Sequence, residues 1–224
     1  MDALGNRSDA PQIFIHDAWG EIKINENLFI GAGLHYWNGM IRLANQSTLN
    51  FMTLDAPRPF THWFSFGITD QFARDMGIYI KGDIGYFEYR LAVNNPLNPN
   101  NSLGFNHYGD VNSSIQYNGS ITPNDNGEVV GSMIFEGYFK YAFLDKESMK
   151  LPYYMGIYLG KKKMLNIGLG FFAQPKGTFD TLSLEHNNVF HFAGDIFFDH
   201  PVRGGAINIY SSAQFFNYGK KLYE

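Results

Sequence analysis

A strict alternation of side-chain character runs through Phe87-Glu88-Tyr89-Arg90-Leu91-Ala92-Val93. The odd-numbered positions are aromatic or large and aliphatic, and two of the three even-numbered positions are charged. Successive side chains of a β-strand point to opposite faces of its sheet, whereas a helix brings apolar residues together every three or four positions. The stretch therefore predicts a β-strand with one apolar face and one polar face.

The same period of two recurs along the chain. Further segments that show it are 76–81, 131–143, 189–198 and 205–216. Many of the 24 Gly and 9 Pro residues fall between such segments, where turns are expected. We predict an all-β chain of about 8–10 antiparallel strands.

Alternation of this kind fits two folds. A soluble sandwich buries the apolar face, whereas an outer-membrane barrel turns that face to lipid and lines a wet lumen with the polar face. Both signs of charge share the polar faces, with Glu88 beside Arg90 and Glu136 beside Lys140. Aromatic residues typical of an interfacial girdle stand near strand ends: Trp19, Tyr36, Trp37, Tyr86 and Tyr141. We interpret the sequence as an antiparallel transmembrane β-barrel of the porin type, an incomplete one drawn from a larger barrel.

Composition excludes several classes of protein. The chain has 224 residues, 17% of them charged and 17% aromatic, which argues against intrinsic disorder. It has no Cys, and so neither disulfides nor thiolate metal sites. A net charge of −4 gives no basic surface for nucleic acid. The first residues do not read as a signal peptide, so we expect a mature or truncated part of a protein exported to the bacterial outer membrane.

Three segments interrupt the alternating pattern, and the first belongs to a connection long enough to carry function. Segment 38–61 is partly apolar and contains two Pro, and we predict that it folds into the lumen and narrows it. Segment 94–128 is rich in Asn and reads as a polar outer loop. Segment 151–160 fits either a strand or an elaborated turn. The whole of 1–224 is taken as one barrel domain.

Motifs for catalysis are absent from the sequence, so we expect no enzyme and no cofactor. One group of residues invites a metal interpretation: His186, His191, His200, Asp195 and Asp199. His191 and Asp195 share a strand face, but the spacing fixes no third ligand. We favour pore-wall or rim residues, and predict no metal site.

The run Phe72-Ala73-Arg74-Asp75-Met76-Gly77, followed by a hairpin that ends in Tyr89-Arg90-Leu91-Ala92-Val93-Asn94-Asn95, resembles the phosphate-selective porin O/P family. The motif residues are Arg74, Asp75 and Gly77. The resemblance implies an outer-membrane porin, a possible homotrimer, with a third long loop folded inward and basic residues that select anions.

The charged residues predict how such a channel would treat ions. We expect Lys81, Glu88, Arg90, Glu136 and Lys140 to line the pore. Because these walls are nearly neutral, the loop residues Arg42 and Arg58 would set a weak anion preference at the constriction.

The predicted function is passive diffusion of small polar or anionic solutes across a lipid bilayer. Two alternatives remain open. One is a structural or adhesin barrel of the outer membrane that binds partners through its loops. The other is a soluble carbohydrate-binding β-sandwich with exposed Tyr and Trp.

Overall fold

The computed structural model describes residues 18–35, 39–46, 75–95, 115–117, 122–123, 129–130, 133–180, 185–217 and 219. The strands in these ranges are β1 Ala18–Asn25, β2 Leu28–His35, β3 Asp75–Ile84, β4 Phe87–Asn95, β5 Ile115–Tyr117, β6 Thr122–Pro123, β7 Val129–Val130, β8 Ile134–Ala142, β9 Met164–Asp180, β10 Glu185–Val202 and β11 Gly205–Asn217. The helical content of the same ranges is one 3₁₀ turn, Arg42–Asn45. The described chain is therefore all-β, as predicted. Within it, no helix has the length and apolar character needed to cross a membrane.

Eight strands form one antiparallel sheet in the order β1-β2-β3-β4-β8-β9-β10-β11. Each pairs with its neighbours in this order, and the short β5 adds to the end of β9. Strands β6 and β7 form a separate two-stranded hairpin. Strands β1 and β11 are the edges of the eight-stranded order, and the sheet they bound is open across the described residues.

The two faces of the sheet have opposite chemistry, and the polar one is the buried one. In β4, Glu88 and Arg90 are 5% and 2% exposed, whereas Phe87 and Val93 are each 39% exposed. We call the face of Glu88 and Arg90 the inner face, and the face of Phe87 and Val93 the outer face. The period of two predicted this division correctly, and burial now shows which side is covered.

Short turns gather at one end of the sheet, which we call the turn end. The β3–β4 connection is Gly85–Tyr86 and the β10–β11 connection is Arg203–Gly204. Gly85 and Gly204 have φ of +62° and +84°, a conformation that tight hairpins require and that glycine adopts without strain. The longer connections β2–β3 and β4–β8 leave from the opposite end.

The β8–β9 connection is an elaborated segment at the turn end. Residues 143–163 contain no strand, apart from an isolated parallel bridge between Tyr154 and Gln46. The strand alternative for 151–160 is therefore wrong. Strand β4 also runs to Asn95, two residues into the predicted outer loop 94–128. Residues 115–117 of that loop pair with β9.

Two segments lie on the inner face. The first inner segment, residues 39–46, comes from the β2–β3 connection, and the second inner segment, residues 144–160, comes from the β8–β9 connection at the opposite end. They meet where the amide of Tyr154 donates to the carbonyl of Asn45, at 2.8 Å. Of the segment 38–61 that we predict to fold inward, residues 39–46 lie on the inner face of the sheet, while 38 and 47–61 lie outside the described residues.

Apolar packing holds the first inner segment against the sheet. Its buried members and the strand residues that they contact form one cluster: Met40, Ile41, Ala44, Ile134, Phe172, Val189 and Ala193. Gly170 of β9 lets the segment approach closely, because a side chain at this position would meet the backbone of Met40.

Candidate functional site

The five charged residues predicted to line a pore all lie on the inner face. Lys81, Glu88, Arg90, Glu136 and Lys140 are between 1% and 5% exposed. Strand register places Glu88 opposite Lys140 and Lys81 opposite Arg90. The sheet thus brings these side chains together, and the inner segments cover them.

Glu88 is at the centre of a charge network on the inner face of the sheet. Its Oε2 lies 2.6 Å from the ammonium nitrogen of Lys140, and its Oε1 accepts from Arg90 Nε at 3.1 Å. The hydroxyl of Tyr154 also donates to Glu88 Oε1. Charged groups this deeply buried are stable only when each is paired and hydrogen-bonded, and Glu88 meets that requirement from two strands and one inner segment.

Glu147 of the second inner segment is the other acceptor of the network. Both terminal guanidinium nitrogens of Arg42 donate to it at 2.6 Å, a two-pronged geometry that favours Arg over Lys. Lys140 Nζ, Asn166 Nδ2 and the Tyr158 hydroxyl donate to the same carboxylate at 2.6, 3.0 and 2.7 Å. Because the Glu147 side chain is only 2% exposed, this carboxylate joins both inner segments to the sheet without competition from bulk water.

Arg42, which the sequence predicts at a pore constriction, is buried on the inner face of the sheet, and its charge is compensated. Besides the pair with Glu147, its guanidinium carbon lies 3.8 Å from the centre of the Phe197 ring. Its backbone amide donates to Asp195 Oδ2 at 2.6 Å. Arg58, the other residue predicted at a constriction, lies outside the described residues.

Tyr154 provides an aromatic surface for three cations. The charged groups of Arg90, Lys140 and Arg42 lie 4.1, 4.3 and 4.9 Å from its ring centre. All three distances are within the range of a cation–π interaction, which is strongest where water is excluded. The ring also packs edge-on against Tyr138, at 6.0 Å between centroids.

The protonation states of the inner segments follow from these contacts. Burial tends to raise the pKa of Glu147, but the charges of Arg42 and Lys140 outweigh it and hold that pKa well below its ordinary value of 4.5. Burial tends to lower the pKa of Arg42, and Glu147 outweighs it, so that this pKa is raised. Burial raises the pKa of Tyr154, which is therefore a neutral donor. Near neutral pH, Arg42 and Glu147 of the inner segments are therefore both ionised.

Two carboxylates of β10 bind protein groups on the inner segments and on neighbouring strands. Asp195 Oδ1 accepts from the Tyr138 hydroxyl at 2.8 Å, and its Oδ2 accepts from that of Tyr210 at 3.1 Å. Asp199 Oδ2 accepts from the backbone amide of Tyr158 at 2.8 Å. In the described ranges, no three His, Asp or Glu residues are grouped as a metal site requires.

The motif residues Asp75 and Gly77 lie on the inner face of β3, and Arg74 is outside the described residues. Asn94, at the far end of the hairpin that carries the resemblance, lies against Gly77. A side chain at position 77 would collide with Asn94. The side-chain amide of Asn94 donates to Glu136 Oε2 at 3.0 Å. The two parts of the motif are therefore neighbours across β3 and β4.

Sequence reasoning missed three members of the site. Glu21 of β1 lies 2.9 Å from Lys81 and accepts from the Tyr79 hydroxyl at 2.8 Å, and strand parity could have revealed it. Glu147 and Tyr154 lie in an irregular connection that has no period from which to predict direction.

The arrangement holds charge in a buried network whose side chains bond mostly to one another. The acidic and hydroxyl groups of the network form hydrogen bonds with cations, amides and phenols of the sheet and of the inner segments, which gives them structural roles. Comparisons of the chain with protein-family models, with curated proteins and with solved structures find no match.

Proposed function

We propose that this chain is a wall of an outer-membrane β-barrel of the porin type, related to the phosphate-selective porin O/P family that it resembles. In this proposal the outer face contacts lipid and the inner face borders a path for small polar or anionic solutes. The observation that carries it is the inverted burial of the sheet, polar inside and apolar outside.

The size of the exposed apolar surface supports the proposal. Ile22, Ile78, Ile84 and Leu169 of the outer face are each more than 60% exposed. A monomeric soluble protein rarely exposes such an apolar surface over a whole sheet. A lipid-facing sheet requires it, because hydrocarbon solvates these side chains. The sandwich alternative expects the reverse burial.

Aromatic residues at the turn end add support. Tyr86, Tyr141 and Phe143 are each about half exposed there, and Tyr141 contacts Phe143 with ring centroids 4.9 Å apart. Tyr at the boundary of an apolar band is typical of a membrane interface. Trp19 does not belong to this group: it lies on the side of the inner face, beside Tyr79. Tyr36 and Trp37 lie outside the described residues.

Lysine substitution at two depths tests the membrane contact. Ile78 and Ile84 both point outward from β3, with exposures of 61% and 65%, but Ile78 lies mid-strand and Ile84 at the turn end. In a bilayer, Ile78→Lys should lower the free energy of unfolding by about 2–4 kcal/mol, and Ile84→Lys by about 0–1 kcal/mol. Equal tolerance of the two substitutions, measured by denaturant unfolding in lipid vesicles, would reject lipid contact.

A second candidate is a structural barrel that does not conduct. It is favoured by the two inner segments, which cover the polar face with a network of buried ion pairs. Single-channel recording in planar bilayers separates the candidates. We expect stepwise conductance from a porin, and no conductance from correctly folded protein would assign the chain to the structural class.

A further inference from the structure

A small cavity lies between the inner face of β1–β4 and the second inner segment. Its described lining residues are Trp19, His35, Tyr79, Ile80, Lys81, Arg90 and Pro152. The volume of this cavity is about 10 Å³. That is room for one water or one monatomic ion, and too little for phosphate or a sugar.

Arg90, which lines this cavity, has one buried donor without a partner among the described residues. Its Nε donates to Glu88 at 3.1 Å, and its Nη1 donates to the carbonyl of Pro152 at 2.7 Å. Its Nη2 is buried and has no hydrogen-bond partner in the described part of the chain. The whole residue is 2% exposed, so bulk water does not satisfy that nitrogen. A buried guanidinium donor without an acceptor is costly, which points to an occupant of the cavity.

Lys81 brings a second cation to the same cavity. It is the direct cross-strand partner of Arg90, an arrangement of like charges that is unfavourable unless negative charge lies close by. Lys81 Nζ lies 2.9 Å from Glu21, and it makes a long hydrogen bond of 3.4 Å to the carbonyl of Leu151. An acceptor between Lys81 and Arg90 would relieve the repulsion.

The charges at the cavity favour an anion. Lys81 and Arg90 both line it, and the carboxylates that pair with them, Glu21 and Glu88, are not among its described lining residues. The side chains of Trp19, Lys81 and Arg90 can donate hydrogen bonds but cannot accept them, which suits an occupant that accepts.

We propose that this cavity is a binding site for a single small monovalent anion, a halide such as chloride, held between Lys81 and Arg90. The bound anion links the β3–β4 hairpin to the second inner segment, because Arg90 also holds the carbonyl of Pro152. The site is a property of the folded chain and does not depend on conduction or on lipid contact.

Unfolding in different salts tests the site. The folded protein is unfolded in chloride, in bromide and in gluconate at equal ionic strength. A specific site gives a saturable rise of the unfolding midpoint in chloride and bromide, which gluconate is too large to produce. Equal midpoints in all three salts would overturn the proposal.

Arg90→Lys keeps the charge beside Glu88 and removes Nη2, so it should weaken the apparent halide affinity at least tenfold. Lys23→Gln is the matched control, because Lys23 is 45% exposed and pairs with Glu26 outside the network. The unfolding midpoint of the control should still rise with halide. If the midpoint of Arg90→Lys rises with halide as much as that of wild type, the proposal is overturned.

Bromide anomalous scattering from wild-type crystals provides a test that needs no variant. We expect one peak within hydrogen-bonding distance of Lys81 Nζ and Arg90 Nη2. A map with no peak between these atoms would reject the site, whether or not the chain conducts in a bilayer.

Discussion

The two inner segments reach the same face of the sheet and are held there by different forces. The first inner segment is anchored mainly by apolar side chains, with Ile41 only 1% exposed in the cluster that it shares with β8, β9 and β10. The second is anchored mainly by polar bonds: Asp199 accepts from two of its amides, and Arg42, Lys81 and Arg90 donate to its carbonyls.

The inner face therefore has two kinds of contact with separate sensitivities. Burial of apolar groups depends little on pH or ion concentration, whereas a buried ion pair depends on the charge of both partners. Glu147 is where the two kinds meet, since it belongs to the second segment and binds Arg42 of the first. Substitutions in the apolar cluster and substitutions at the ion pairs should therefore change stability with different dependence on pH and salt.

The largest effect is expected from Glu147→Gln. The substitution keeps the shape of the side chain and leaves Arg42 and Lys140 buried without their shared carboxylate. Loss of one partner of a buried pair typically lowers the free energy of unfolding by about 3–5 kcal/mol. Denaturant unfolding measures it, with Glu26→Gln, an exposed carboxylate of a turn, as the control that should change nothing measurable. A loss no larger than that of the control would show that Glu147 does not hold the segments.

The next effect is on the apolar side. Ile41→Ala should lower the free energy of unfolding by about 2–4 kcal/mol, because it leaves a cavity beside the buried cluster. Ile41→Val, the conservative control, should cost about 0.5–1.5 kcal/mol. Both losses should be the same at low and high salt. A strong salt dependence would contradict apolar anchoring of the first segment.

A smaller effect is expected where the first segment touches β9. Gly170→Ala places a methyl group against the backbone of Met40 and should cost about 1–3 kcal/mol by overpacking. Gly194→Ala is the control, since the nearest atom to its new methyl is the end of the Leu169 side chain, at 3.3 Å. Equal stability of the two variants in denaturant unfolding would show that the segment is free to move away.

The smallest and most selective effect is on the response to acid. Because the pKa of Glu147 is lowered in the folded protein, its stabilising contribution is complete above about pH 4.5 and is lost as pH falls through the lower folded value. Glu147→Gln should therefore lose less stability than wild type between about pH 5 and pH 2, and Ile41→Ala should keep the wild-type slope. Identical acid profiles for wild type and Glu147→Gln would contradict the assignment.

The regular part of the fold could be predicted from the sequence. A period of two fixes which side chains of a strand share a face, and so it pairs Glu88 with Arg90 and Glu136 with Lys140. The position of Lys140 opposite Glu88 comes from the strand order and register. The period also applies to Trp19, which we expected in an interfacial girdle. Because Trp19 has the same parity as Glu21, it faces the inner side, and counting from that carboxylate would have corrected the expectation.

The irregular part could not be predicted in the same way. Segment 151–160 left a strand and a turn open, because an irregular backbone gives its side chains no repeating direction. The partner of Arg42 was equally hidden. Glu147 lies 105 residues away, and their contact depends on two connections that enter from opposite ends of the sheet. Local pattern contains no information about such a meeting.

The separation of Arg42 from Glu147 also has a consequence for the entropy of folding. The tightest strand pairs of the sheet, such as β3–β4 and β10–β11, close two-residue turns at a small entropic cost. The Arg42–Glu147 bond instead closes a loop between residues 105 apart in sequence, a loop that contains β3, β4 and β8. Loop-closure entropy grows with loop length, so the ion pair and the apolar cluster must together offset a larger loss of chain freedom than any of these turns requires.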